Sequence, residues 1–283
     1  MDIQRIAAFT EGSAGGNPAG VVLCSILPPV DEMQRVAMEV GFSETAFAAP
    51  IGDSWRVRYF APEMEVPFCG HATIALGAAL ASRHGDGIYS LLLNHVAVSV
   101  EGKTDGAVAS AALQSPETNS RPAPAELVSD ALQLFSLSAQ DLDRRVPPAL
   151  ANAGANHLVL ALCTHERLKT MHYDFTKGKQ LMLSNGLCTI SLIYVENDQL
   201  IHARNPFASD GVYEDAATGA AAAAVAGYLR DIDWPHRGHI EIQQGHDMGM
   251  PSRLRVDISS NPGASIRVSG TVRFMNSIET VGG

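Results

Sequence analysis

Hydrophobic residues along the chain fall mostly into short runs, and glycine, proline and polar residues separate one run from the next. Short apolar runs bounded by turn residues predict β-strands. The glycine-rich segment that ends in Asn17-Pro18-Ala19-Gly20 is predicted to be a loop. The predicted strands cover 3–9, 21–24, 44–49, 55–60, 88–93, 96–100, 107–113, 157–162, 187–195, 200–204, 239–243, 254–258 and 264–274.

Two alanine-rich segments predict helices that lack a polar face. They cover 70–84 and 217–230, and apolar or small residues occupy nearly every side of each one. A helix of this kind must be surrounded by other parts of the protein, and alanine keeps it thin. We therefore expect each helix to be threaded through a curled sheet. The other predicted helices cover 31–40, 126–135, 165–173 and 178–184, with a short one near Ser138.

The segment 114–125 is the predicted boundary between two domains. It holds three prolines, two serines and an asparagine, a composition typical of a linker. The parts of the chain on either side share an outline of several strands, one alanine-rich helix and further strands. The predicted fold is therefore α+β with two similar halves, formed by 1–116 plus 270–283 and by 117–269.

Composition narrows the class of protein. The chain has 283 residues, of which 46% are hydrophobic, and its formal net charge is −10. The hydrophobic content is enough for a folded core, and the acidic balance argues against nucleic-acid binding, which requires clustered lysine and arginine. We expect neither a membrane span nor a signal peptide. Four widely spaced cysteines predict free thiols and a cytoplasmic protein: Cys24, Cys69, Cys163 and Cys188.

The first segment with candidate chemistry is Phe42-Ser43-Glu44-Thr45-Ala46-Phe47. Here Glu44 lies between hydrophobic residues at the start of a predicted strand. Burial would raise the pKa of its carboxyl group towards neutrality and make it a usable general acid and base. The alternative is a glutamate paired with a nearby arginine, and the residues alone support the two interpretations equally.

Two further segments place polar residues where the alanine-rich helices begin. Gly70 and His71 open the first helix, where unpaired backbone N–H groups could hold an anion and the imidazole could orient a substrate. A histidine satisfied within the core is the alternative. Asp215 and the residues 218–220 open the second helix, where backbone N–H groups could bind a carboxylate, although Asp215 or Thr218 could equally act as an N-cap.

A metal site is not expected from the ligand spacing. One group of residues in the C-terminal part could in principle gather around an ion, but its spacing matches no known ligand pattern. This group consists of His236, His239, His246 and Asp247.

Taken together, these segments resemble the phenazine-biosynthesis PhzF-like isomerase family, within the diaminopimelate-epimerase-like fold. The matching motifs occur in order through nearly the whole chain, and five of them in order form a specific signal. They are Phe9-Thr10 with Gly16-Asn17-Pro18-Ala19-Gly20-Val21; Phe42-Ser43-Glu44-Thr45-Ala46-Phe47; Arg58-Tyr59-Phe60-Ala61-Pro62 with Glu65-Val66-Pro67-Phe68-Cys69-Gly70-His71-Ala72-Thr73; Gly211-Val212-Tyr213-Glu214-Asp215 with Ala217-Thr218-Gly219; and Gln244-Gly245 with Met248-Gly249 and Pro251-Ser252.

The resemblance implies an architecture and an activity. Each half would be a β-barrel-like sheet wrapped around its central helix, with the active-site cleft between the halves and a homodimer as the usual assembly. The activity would be a cofactor-independent and metal-independent isomerisation that moves a proton on a small carboxylate-bearing substrate. Neither nucleic acid nor a membrane is implied as a partner.

The resemblance also assigns roles to residues. Glu44 matches the general acid/base, while His71 and Asp215 match residues that position the polar groups of the substrate; these three are the predicted catalytic residues. The predicted substrate-binding residues line the site or form the turn that holds the carboxylate. They are Ser43, Gly70, Thr218, Gly219 and Ala220.

Two alternatives to this function stay open. One is a small-molecule-binding or interaction protein on the same fold, without catalysis. The other is a racemase that depends on Cys69, because related epimerases use one thiol at the start of each central helix. Asp215 occupies the place of the second thiol, so a small buried residue is the favoured interpretation of Cys69. Ala220 stands where the family often has serine, which removes one contact to a substrate carboxylate.

Overall fold

The computed structural model describes residues 1–106 and 108–275, and the chain forms two compact units. The first unit comprises Met1–Gln114 and the segment from Ser269 onward, and the second comprises Ser115–Val268. Helices and strands are both abundant in the described residues, so the predicted α+β class is confirmed. Residue 107 of one predicted strand and residues 276–283 of the predicted N-terminal half lie outside the described residues.

The first unit contains a series of strands with two helices inserted in it. β1 pairs antiparallel with β2, β2 pairs parallel with β3, and β3 pairs antiparallel with β4. β4 then pairs parallel with β6, which is followed by β7 and β8 in antiparallel order, while β5 forms a short antiparallel pair with β4. The elements are β1 (Gln4–Thr10), β2 (Asn17–Leu23), α1 (Val30–Val40), β3 (Thr45–Ile51), β4 (Ser54–Phe60), β5 (Glu65–Val66), α2 (Gly70–His84), β6 (Gly87–Leu92), β7 (Ala97–Asp105) and β8 (Val108–Gln114).

The helix α2 is buried on every side. All residues from His71 to Ala81 are buried, and the helix contacts the strands β1, β2, β3, β6, β7 and β8. The prediction of an enclosed alanine-rich helix is thus confirmed for this segment. The helix α2 and the strand β7 approach each other closely at Gly77 and Gly102. A side chain on Gly102 would overlap the carbonyl group of Gly77. Only glycine permits that approach.

The second unit has its own series of paired strands. β9 and β10 pair antiparallel, as do β10 and β11, and β11 pairs parallel with β12. β12 is antiparallel to β13, β13 pairs parallel with β15 and antiparallel with β14, and β15 is antiparallel to β16. The elements are β9 (Asn119–Pro122), α3 (Ala125–Leu134), β10 (Ala149–Asn152), β11 (Asn156–Leu162), α4 (His165–Lys169), α5 (Phe175–Ser184), β12 (Thr189–Asn197), β13 (Leu200–Phe207), β14 (Val212–Asp215), α6 (Gly219–Asp231), β15 (His239–Gln244) and β16 (Ser252–Asp257).

The helix α6 is the enclosed helix of this unit. It contacts β9, β10, β11, β12 and β16, and all its residues from Ala221 to Arg230 are buried. The buried guanidinium of Arg230 donates hydrogen bonds of 3.0 Å to the Ala264 carbonyl and of 2.5 Å to the Thr118 hydroxyl, so two of its three nitrogens have partners. The last strand, β17 (Arg267–Phe274), begins in the second unit and ends in the first, where it pairs antiparallel with β1.

The loop predicted over 17–20 is wrong, because these residues belong to β2. Pro18 lies opposite Ala7 of β1, and the pairing of β2 with β3 begins only at Gly20. Pro18 has no N–H to donate. Because β3 does not pair with β2 at this residue, the proline interrupts no hydrogen bonding between these two strands. The predicted linker similarly holds the strand β9, which pairs with β10. In both places backbone pairing overrides the local composition.

The helix predicted over 165–173 is shorter than expected. It ends at Lys169, and the backbone N–H of Tyr173 donates a hydrogen bond of 2.9 Å to the Tyr213 hydroxyl instead of to a helical carbonyl. The helices predicted over 31–40, 126–135 and 217–230 are confirmed with small shifts at their ends. No helix in the described part of the chain is long and apolar enough to cross a membrane.

The close packing of α2 on β7 predicts the effect of a single methyl group. Gly102→Ala should lower the free energy of unfolding by at least ~2 kcal/mol, because the new Cβ meets rigid backbone rather than a movable side chain. Gly87 lies directly opposite Gly102 in the β6–β7 ladder and has open space around it, so Gly87→Ala is the matched control. Urea unfolding of both variants measures the difference, and equal stabilities would contradict this account of the packing.

A buried histidine predicts acid sensitivity of the second unit. His157 is 0% exposed, its Nδ1 lies 2.7 Å from the Thr189 hydroxyl oxygen, and burial lowers its pKa to about 4. The unfolded chain takes up the proton near pH 6.5, whereas the folded chain does not. The free energy of unfolding should therefore fall as the pH drops from about 6.5 to 4, by about 3 kcal/mol in total.

His157→Asn tests this dependence, because the amide can still contact Thr189 but cannot take up a proton. We expect the variant to lose that part of the acid-induced destabilisation. Replacement of the exposed His172 by asparagine should retain it. Unfolding curves in urea at pH 7 and pH 4.5 provide the measurement, and the same pH dependence in all three proteins would contradict the prediction.

Candidate functional site

Glu44 lies immediately before β3 and is only 5% exposed. Its backbone carbonyl accepts a hydrogen bond of 3.1 Å from the N–H of Gly20 in β2. The parallel pairing of β2 with β3 thus fixes the backbone at Glu44. Hydrophobic residues on both sides of it, Phe42 and Ala46, are buried as well. The local sequence therefore places a carboxylate in an apolar setting, as the alternation of residues predicts.

The start of α2 brings two more polar groups to Glu44. His71 Nε2 lies 3.3 Å from Glu44 Oε2 and 3.4 Å from Ser43 Oγ. Cys69 Sγ lies 3.3 Å from His71 Nδ1. Cys69 and His71 are 8% and 5% exposed, so the three ionisable side chains form one buried cluster, the Glu44–Cys69–His71 cluster.

Burial is the dominant influence on the carboxyl group of this cluster. Desolvation raises the pKa of Glu44 above the ordinary glutamate value, and hydrogen bonds from the side chains of Ser43 and Cys69 act in the opposite direction. Glu44 Oε2 makes no hydrogen bond within the residues that the structure describes. A carboxyl group with a raised pKa and an unbonded oxygen is suited to exchange a proton with a bound molecule.

The backbone at the start of α2 is held by its own side chains. Thr73 donates hydrogen bonds to the carbonyl of Cys69 from its N–H, at 3.0 Å, and from its hydroxyl, at 2.6 Å. The Tyr59 hydroxyl lies 2.7 Å from the same threonine oxygen. Gly70 occupies the first helical position, where the backbone N–H has no partner within the helix. The helix therefore begins at a fixed point beside Glu44.

A second polar group lies at the start of α6. The Thr218 hydroxyl donates a hydrogen bond of 2.6 Å to Asp215 Oδ2. Gln244, at the end of β15, donates from its amide nitrogen to the Asp215 carbonyl at 2.7 Å and contacts the Thr218 hydroxyl at 3.0 Å. Its amide oxygen accepts the N–H of Thr218 at 3.2 Å. Three residues from two elements thus fix the turn before the helix.

Gln244 has no role among the sequence predictions, although its dipeptide with Gly245 belongs to the family motifs. The alternation along β15 indicates a role for this residue, because every second residue of the strand is buried and Gln244 falls on the buried face. A polar side chain at an inward position requires partners. Asp215 and Thr218 are those partners, so Gln244 is an organising residue of this turn.

The hydrogen bond between Thr218 and Gln244 also reduces the number of backbone N–H groups that could bind a carboxylate. The N–H of Thr218 is already used, whereas Gly219 and Ala220 occupy the first positions of α6, where the helix supplies no acceptor for their N–H groups. Of the three predicted donors, these two remain for a substrate carboxylate.

The predicted site residues thus fall into two groups. The structure brings together Ser43, Glu44 and His71, with Gly70 and Cys69 beside them, in the first unit. It brings together Asp215 and Thr218, followed by Gly219 and Ala220, in the second unit. That both groups face one cleft stays a prediction.

Comparison with known proteins places the chain in a family. Residues 6–276 match the family model for phenazine biosynthesis-like proteins, PhzC-PhzF. An uncharacterized isomerase of Mesorhizobium japonicum is 32% identical over 282 residues, which cover 93% of this chain and 92% of the relative. The trans-2,3-dihydro-3-hydroxyanthranilate isomerase of Pseudomonas aeruginosa is 30% identical over 282 residues, 94% of either chain.

A solved structure supports the fold. The Bacillus anthracis phenazine biosynthesis protein of the PhzF family superposes with a TM-score of 0.84 at 21% identity, and the match covers 97% of this chain and 96% of that one. The resemblance drawn from the motifs is thereby confirmed. The chain belongs to the family of phenazine biosynthesis-like proteins and, like the relatives that carry the name, is an isomerase.

Proposed function

We propose that the protein is a cofactor-independent isomerase in which Glu44 moves a proton between two carbon atoms of a small carboxylate-bearing substrate. The observation that carries the proposal is the buried carboxyl group of Glu44, with its raised pKa and its unbonded oxygen. The residue has no arginine partner among the ion pairs of the described residues, and His71 is its neighbour instead. The arginine-paired alternative is therefore not favoured.

The reaction needs no net gain or loss of electrons. The ionised carboxylate of Glu44 takes a proton from one carbon, and the electron pair of that C–H bond moves into the adjacent π-system. The protonated carboxyl group then returns the proton to a second carbon, which regenerates the carboxylate. His71 and Ser43, which lie within 3.4 Å of each other, would hold the polar substituents of the substrate during both steps.

The second polar group and one relative support a proposal for the substrate class. The N–H groups of Gly219 and Ala220, at the positive end of the α6 dipole, suit a carboxylate, and Asp215 suits an amino or hydroxyl group. The Pseudomonas aeruginosa relative is named for trans-2,3-dihydro-3-hydroxyanthranilate, which carries all three groups. We propose a small unsaturated amino or hydroxy acid as the substrate.

We also propose that the chain consists of two similar halves, each curled around its central helix, with the site in the cleft between them. The succession of strand pairings supports the similarity. From β1 to β7 in the first unit, neighbours pair antiparallel, parallel, antiparallel, parallel and antiparallel. From β10 to β16 in the second unit the succession is the same. A homodimer in the cytoplasm is the proposed working form.

A second candidate function within the same enzyme class uses Cys69 as a proton-transferring group. The observation that favours it is the position of the thiol, which contacts His71 and donates a hydrogen bond to the Glu44 carboxylate. A thiol needs a base to become a thiolate, and both neighbours could serve. Under the main proposal, by contrast, Cys69 only supports the carboxylate.

Replacement of Glu44 tests the main proposal. Glu44→Gln should keep the fold but lower proton exchange at least ~100-fold, because the amide cannot accept the carbon-bound proton. The measurement is deuterium uptake in heavy water over a panel of small unsaturated amino and hydroxy acids. Glu39→Gln, on the exposed side of α1, is the control and should exchange normally. Normal exchange by Glu44→Gln would refute the proposal, and loss of exchange in Cys69→Ser but not in Glu44→Gln would favour the second candidate.

Replacement of Gln244 tests the role of the second polar group. Gln244→Leu removes the bonds that fix the Thr218 turn, so KM for the substrate should rise at least ~10-fold while kcat changes less, because the carboxylate donors lose their arrangement. Gln243→Leu, one residue earlier on the opposite face of β15, should leave both constants near the wild-type values. Thermal unfolding of both variants separates binding from folding. An unchanged KM in a folded Gln244→Leu protein would contradict the role.

A further inference from the structure

We propose that the Glu44–Cys69–His71 cluster binds a thiophilic divalent metal ion of the Zn²⁺ type, and that the bound ion inhibits the enzyme. The binding part of the proposal depends only on the cluster. The inhibitory part rests on the function proposed for Glu44. No metal site was expected from the sequence, because the three residues come from two separate segments and match no ligand motif.

The distances within the cluster fit one ion. One ligand atom from each residue lies within 4.8 Å of the other two. The Nε2 atom of His71 lies 3.3 Å from Glu44 Oε2 and 3.9 Å from Cys69 Sγ. In tetrahedral zinc sites, bonds of about 2.0–2.3 Å place neighbouring ligand atoms roughly 3.3–3.7 Å apart. The two distances from His71 therefore need to change by only a few tenths of an ångström for this residue to share an ion with Glu44 and Cys69.

The burial of the cluster favours the binding of a cation. All three side chains are at least nine-tenths buried, and Glu44 Oε2 makes no hydrogen bond within the described residues. A buried carboxylate oxygen without a donor carries the cost of lost hydration. Among the described residues, His71 is the neighbouring side chain that could neutralise the charge of this oxygen. A divalent ion would satisfy that oxygen and use the adjacent sulfur and nitrogen at the same time.

The donor set selects the kind of metal. Sulfur and imidazole nitrogen favour Zn²⁺ and similar transition ions, whereas Mg²⁺ and Ca²⁺ require oxygen ligands. Three protein ligands leave a fourth tetrahedral position for water or a small anion. No other cluster of this kind occurs in the part of the chain that the structure describes, and the histidines of the segment 236–246 do not form one.

A bound ion would stop proton transfer because its ligands are the same side chains that carry out the transfer. The thiol of Cys69 loses its proton to solvent as the metal–sulfur bond forms, and a Glu44 oxygen donates its lone pair to the ion. That oxygen can then no longer accept a proton from carbon. The ion would act as a reversible inhibitor, and a chelator would restore activity.

Cobalt titration of the full chain tests the site without substrate. Co²⁺ replaces Zn²⁺ in such sites, and a thiolate ligand gives it an intense charge-transfer absorption. We expect the EDTA-treated protein to take up one Co²⁺ per chain with this absorption, and added Zn²⁺ to abolish it. Cys69→Ser and Cys69→Ala should lack the absorption and bind Zn²⁺ at least ~100-fold more weakly. Cys163→Ser, at an exposed thiol, should behave like the wild type.

The outcomes separate this inference from the proposed function. Absence of the absorption in the wild type, or its persistence in folded Cys69→Ser and Cys69→Ala proteins, would overturn the site. Zn²⁺ at micromolar concentration should lower turnover at least ~10-fold, with recovery in EDTA and no effect of Mg²⁺; undiminished turnover at saturating Zn²⁺ would overturn the inhibition. If the absorption is present but Glu44→Gln still turns over, the metal site stands and the proposed function fails.

Discussion

The enclosure of α2 is the constraint on which the first polar cluster depends. A helix buried from His71 to Ala81 cannot be displaced without opening the sheet around it, and at Gly77 and Gly102 the backbones approach so closely that no side chain fits between them. The helix can neither slide nor rotate in that position. Its first residues are therefore fixed relative to the strands that pack on it, which include β2 and β3, the strands that hold Glu44.

The same enclosure sets the electrostatics of the cluster. The first unit buries the Glu44 carboxyl group beside a histidine and a thiol, whereas in the second unit Glu214, equally buried, receives a charge-assisted bond of 2.8 Å from the Arg204 guanidinium. Arg204 is held in turn by the carbonyl groups that end α4. An arginine partner of this kind neutralises a buried carboxylate and uses its hydrogen-bonding capacity. Glu44 lacks such a partner, and its charge can therefore change when a ligand arrives.

Sequence patterns predicted the parts of the fold that depend on one element at a time. The absence of a polar face predicted the burial of α2, and the apolar residues around Glu44 predicted its burial. The patterns failed where a distant strand decides the conformation, as at Pro18, whose place in β2 depends on its pairing with β1. They also could not decide whether Glu44 faces arginine or histidine, because that partner comes from a segment 27 residues away, whose position depends on packing.

Under the proposed function, recognition of a carboxylate at the start of α6 would depend on backbone groups rather than on side chains. Ala220 has no polar side chain, and Gln244 already occupies the N–H of Thr218. The remaining donors belong to Gly219 and Ala220, whose positions are set by the helix itself. Backbone donors recognise any carboxylate in the same way. Under the proposed function, discrimination between substrates would then come from the polar side chains proposed to contact the rest of the molecule, those of Asp215, His71 and Ser43.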